Sequence, residues 1–116
     1  MIGMILSLIA LGVFALISVS MTVRWVVNKI KAKRSLRNIS RVLVSDLKKL
    51  ARNCTNTTTL DQLDDLVDRG YTHIMADLND RNEIVGDMDI IRDTNYSKED
   101  SIDYRLDDDG MLVICV

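Results

Sequence analysis

Apolar positions follow three successive rhythms along this chain. From Met1 to Val23 they are nearly continuous, MIGMILSLIALGVFALISVSMTV, with no Asp, Glu, Lys or Arg and only Ser and Thr as polar side chains. A helix of that length extends roughly 35 Å, enough to cross a hydrocarbon core of about 30 Å. A transmembrane helix over residues 1–25 is therefore predicted, with Trp25 at the interfacial depth that suits an amphipathic ring. The second rhythm is helical. Leu36, Ile39, Leu43, Leu47 and Leu50 recur three and four residues apart, as on one helical face. No Gly or Pro interrupts residues 13–69, so the pattern predicts a long amphipathic helix over 26–52 that continues the first.

Beyond a polar break at 53–58, read as a linker, a short helix is expected in TLDQLDDLVDRG. Thr59 and Gln62 have capping-box spacing, and Gly70 can end the helix in a left-handed turn. The period then changes to two. In YTHIMADL, Ile74, Ala76 and Leu78 share a face; in EIVGDMDII, Ile84, Met88 and Ile90 line one face opposite Val85 and Ile91. SIDYRLDD places Ile102, Tyr104 and Leu106 together, and Asp109-Gly110 gives a hairpin signal before MLVICV, which is apolar on both faces and reads as an inner strand. The predicted fold is α+β: a transmembrane helix, its basic amphipathic continuation, and a small acidic domain over 59–116 with a short helix and an antiparallel meander of three to four strands.

Charge adds an orientation to this layout. Residues 24–52 carry ten Lys or Arg and one acid, whereas 53–116 carry five basic and sixteen acidic residues. Basic residues directly after a span are retained on the cytoplasmic side. Arg24, Trp25, Lys29, Lys31, Lys33, Arg34 and Arg37 are thus the expected membrane-interface anchors, with the N-terminus outside and the acidic domain cytoplasmic. Anionic lipid head groups are the expected surface partner. Nucleic acid is not expected, because the basic stretch has one aromatic residue and no recognisable fold signature. The Leu36 to Leu50 stripe must be covered by its own domain, a second copy or a protein partner.

Chemistry is sparse. His73 is the only histidine, and on a half-buried strand it reads as a polar-face residue. Cys54 and Cys115 with His73 fall short of a zinc ligand set, and Asp107–Asp109 before Gly110 lacks the remaining positions of a calcium loop. No phosphate-binding, dinucleotide or nucleophile motif is present, so no cofactor, metal or enzymatic activity is expected. In the cytoplasm Cys54 and Cys115 should be thiols; a bridge between them is expected only if the domain is exported. The function that follows is a membrane-anchored interaction or regulatory module.

The same layout resembles that of type IV pilins and pseudopilins: an apolar helix, an amphipathic continuation, a phrase such as LDQLDDLVDRGY after the long helix, then an antiparallel meander. That resemblance implies the alternative of an exported structural subunit polymerising through its N-terminal apolar helix, often with a disulfide near the C-terminus.

Overall fold

The computed structural model describes residues 14–33, 39–54, 57–81 and 83–115. Within it the uncharged run does not continue as one helix. Ala15–Val19 form a strand, β1, and Thr22 starts a new element by accepting a hydrogen bond from the Trp25 N–H. That cap opens helix α1, Val23–Ala32, whose Val26 and Ile30 lie one turn apart and are buried. Strand β2, Arg41–Asp46, runs directly into helix α2, Leu47–Arg52, with Asp46 accepting from the Lys49 N–H as its cap. Helix α3, Thr57–Asp68, ends at Gly70, where φ is +93°. Paired hydrogen bonds from Gly70 to Val67 and from Tyr71 to Leu66 close its last turn. Strands β3, His73–Leu78, and β4, Ile84–Asp93, follow; then come a 3-10 turn at Ile102–Arg105 and strand β5, Met111–Cys115.

The five strands form one sheet in the order β1-β4-β3-β2-β5. β1 lies parallel to β4, and every other neighbouring pair is antiparallel. Alternation along the strands sends side chains to two separate cores. On one face Leu43, Ile74, Ala76, Met88 and Ile90 pack with Leu47 and Leu50 of α2 and Leu63 and Leu66 of α3. On the other face Val42, Val44, Met75 and Ile91 pack with Val26 and Ile30 of α1, Met21 and Ile102. The result is three layers, helix on sheet on helices.

This architecture overturns the membrane reading. Among the described residues no helix is long and apolar enough to cross a membrane. The predicted span fails over its described part, where Ala15–Val19 pair with β4 as a strand; residues 1–13 of that expectation lie outside the described residues. With no membrane-crossing helix among the described residues, the single-pass localisation, the outside N-terminus and the charge-derived cytoplasmic orientation lose their basis. The long amphipathic helix over 26–52 is also replaced, by α1, β2 and α2. Val42 and Val44 alternate with Leu43 in a central strand, so the helical spacing from Leu43 to Leu50 was a coincidence of two different elements sharing one core. The small meander is instead a mixed sheet that includes residues from the supposed span. The layout that carried the likeness to type IV pilins, a long apolar helix with an amphipathic continuation, is absent from the described residues.

Two local expectations also change. SIDYRL is not a strand: Ser101 accepts from the Asp103 N–H and starts the 3-10 turn, burying Ile102 while Tyr104 stays exposed. Strand β5 lies at the sheet edge rather than inside it, and Val113 is exposed.

Candidate functional site

The predicted anchors have other duties. Arg24 and Lys31 are exposed on α1, and the Lys29 ammonium lies 5.9 Å from the centre of the half-buried Trp25 ring and 3.7 Å from Asp89. Lys33 is buried, with its ammonium 2.7 and 2.8 Å from the two carboxylate oxygens of Asp77. Arg34, Leu36 and Arg37 lie outside the described residues. Leu43, Leu47 and Leu50 meet in the core beneath α2 and α3, but Ile39 packs on the opposite face of the sheet. Cys54 is half-buried, Cys115 is exposed, and they are not bridged.

The polar group that sequence reading undervalued is His73. Its place at the start of β3 buries it to 2% exposure beneath the 94–106 segment. Its Nε2 lies 2.6 Å from Asp103 Oδ1, and its Nδ1 lies 2.7 Å from Thr72 Oγ1. Thr72 Oγ1 also accepts from the Asp93 N–H and lies 3.2 Å from the Ile91 carbonyl, so the imidazole is held at both ring nitrogens. Burial opposes charge on Asp103, yet hydrogen bonding and attraction from His73, with help from Lys98, outweigh it and hold the carboxyl below its ordinary range.

Asp93, at the end of β4, completes the group. One of its oxygens, Oδ1, accepts from the backbone N–H groups of Met21 and Asn95, each at 2.9 Å. The other, Oδ2, is buried without a hydrogen bond, and the Lys98 ammonium stands 3.7 Å away. The same ammonium is 3.5 Å from Asp103 Oδ2. His73, Asp93 and Asp103 each direct one ligand-type atom into a region where these atoms lie within 4.8 Å of one another.

Lys98 arrives from an unusual backbone. Its φ is +61° and that of Asp100 is +51°, left-handed values that side chains other than Gly adopt sparingly. Asn95 braces the loop, donating to the Glu99 carbonyl and accepting from the Ser97 hydroxyl. Beside the cluster a cavity of about 300 Å³ is bounded by Asp46, Lys48, Val67, Tyr71, His73, Lys98 and Asp103. It lies beside the carboxyl end of β2 and the start of β3.

Elsewhere the acids are arranged differently. Asp107 Oδ1 accepts from the Asp109 and Met111 N–H groups, so the run before Gly110 is a self-bonded turn. On α3, Asp61, Asp64, Asp65 and Asp68 are all exposed, opposite the buried Leu63 and Leu66. Asp93 and Asp103, distant from His73 in sequence, are joined to it only by the fold. Comparison of the chain with protein-family models, curated proteins and solved structures found no match.

Proposed function

We propose that this chain is a small protein-interaction module rather than an enzyme, and that the acidic outer face of α3 docks a basic segment of a protein partner. The observation that carries this reading is the set of four exposed carboxylates at Asp61, Asp64, Asp65 and Asp68. Their spacing creates like-charge neighbours three and four residues apart, each costing about 0.2–0.5 kcal/mol. Asp68 adds charge at the negative end of the helix, against its dipole. Arg69 offsets part of this, 3.6 Å from Asp65. A surface that works against its own helix gains most from a cationic partner.

The histidine group supports binding over catalysis. Thr72, the hydroxyl beside the imidazole, already accepts from Asp93 and lies within reach of the Ile91 carbonyl, so it is poorly placed to act as a nucleophile. The test is a variant with all four α3 aspartates changed to asparagine, titrated with a lysine- and arginine-rich peptide at several salt concentrations. Neutralisation should raise the melting temperature of the free protein while weakening peptide binding and flattening its salt dependence. Peptide binding equal to that of the unaltered protein would remove α3 as the docking face.

A further inference from the structure

We infer that His73, Asp93 and Asp103 form a binding site for a divalent first-row metal ion, zinc being the simplest probe, and that Lys98 is the cation the metal displaces. The proposal is independent of any role for α3.

The donor set comes first. One imidazole and two carboxylates suit zinc and its neighbours, and the three ligand atoms already lie within 4.8 Å of one another. The second observation is the state of Asp93. Its side chain is 2% exposed, and Oδ2 has no hydrogen bond although Oδ1 has two from the backbone. A buried carboxylate oxygen left in that condition is costly unless a cation answers it. Lys98 answers only loosely, at 3.7 Å, and its own side chain is 52% exposed.

The surroundings of the ligands match those of metal-bound side chains. Asp93 is aimed by Met21 and Asn95, so its free oxygen cannot turn away without losing two backbone hydrogen bonds. His73 is aimed by Thr72 through Nδ1, leaving Nε2 toward the acids. With Asp103 ionised, the 2.6 Å contact needs a hydrogen on Nε2. The neutral imidazole that ligates a metal ion through Nε2 carries its one hydrogen on Nδ1 and donates it to the Thr72 oxygen. Binding requires His73 and Asp103 to part by somewhat under 1 Å from their present contact, to the separation of two ligands on one ion. Asp103 stands on a short turn beside an open cavity, where such movement is cheap. Lys98 then swings into solvent. Two carboxylates balance a divalent ion, so the site stays neutral without the ammonium.

The experiment is calorimetric titration of the full chain with zinc chloride, with cobalt absorption spectra as a second readout of coordination. One ion per chain is expected. His73→Gln and Asp93→Asn should each weaken binding by at least about 100-fold, more than the loss of an outer-shell partner costs. Lys98→Met should tighten it by about tenfold, because the metal no longer competes with the resident ammonium. This last variant keeps the test decisive if either ligand variant folds poorly, which circular dichroism would reveal. Absence of zinc binding to both the unaltered chain and the Lys98→Met protein at about 1 mM would overturn the site. So would binding that the His73 and Asp93 replacements leave unchanged, the signature of adventitious binding to surface acids or thiols.

Discussion

Lys33 and Lys98 both reach aspartates on the α1 face of the sheet, one near each end of β3. Lys33 closes the end of α1 on Asp77, with both partners buried and both carboxylate oxygens within 2.8 Å of the ammonium. Lys98 approaches Asp93 and Asp103 at 3.7 and 3.5 Å from a half-exposed position in a left-handed loop. His73 and Asp77 are four residues apart on one strand, about 13 Å, so both pairs share a sheet and a face. The difference lies in commitment. A sealed pair has no room for another ligand, and its cation is part of the fold. A loose pair beside a cavity has an acid better satisfied by something else.

The largest expected effect breaks the sealed pair. Lys33→Met leaves the Asp77 carboxylate buried without its ammonium, a loss of about 3–5 kcal/mol measurable as a shift in the urea midpoint. Replacing both residues, Lys33→Met with Asp77→Leu, should recover most of that loss, because two apolar groups avoid the desolvation that the ion pair only offsets. A small effect of the single change would mean that water reaches Asp77 and that the two ends of β3 are less different than their geometry indicates.

An intermediate effect is expected at Asp93. Asp93→Asn keeps an oxygen for the Met21 and Asn95 N–H groups but removes the charge that strengthens both bonds. The cost should be about 1–2 kcal/mol in the same denaturation experiment. It should not rise toward the Lys33→Met value, since the lysine left behind is free to enter solvent. A loss as large as that of Lys33→Met would make Asp93 a structural keystone of the β1–β4 junction rather than a ligand awaiting an ion.

Period-two alternation marked β3 and the inner positions of β4 correctly, because each strand offers one row of side chains to the α2 and α3 core. The helix ending at Gly70 was equally visible, since a left-handed turn at that point favours glycine. The run through Ala15–Val19 was not legible. An uninterrupted apolar segment fits a membrane helix and a strand of a sheet alike, and only the cap at Thr22 marks where one element stops. The basic residues misled for a related reason: Lys33 was counted as surface charge, although its partner Asp77 lies forty-four positions away on a different element. The histidine group was hidden in the same manner. Asp93 and Asp103 become neighbours of His73 only because β4 lies beside β3 and the 3-10 turn folds back across their ends.

The smallest expected effect is the most discriminating. Lys98→Met should change stability by less than about 1 kcal/mol, because an exposed ammonium at these distances gains little and is screened by salt. Its left-handed backbone is equally unfavourable for Met, so the substitution neither relieves nor adds that strain, and the measurement isolates the charge. The melting temperature should therefore barely move without metal. With zinc present it should rise above that of the unaltered chain, since stabilisation grows with affinity at a fixed ligand concentration. A metal-free loss of 3 kcal/mol or so would place Lys98 in the same class as Lys33, a cation the fold cannot release. The site would then have no vacancy to offer, and the distinction between the two ends of β3 would collapse.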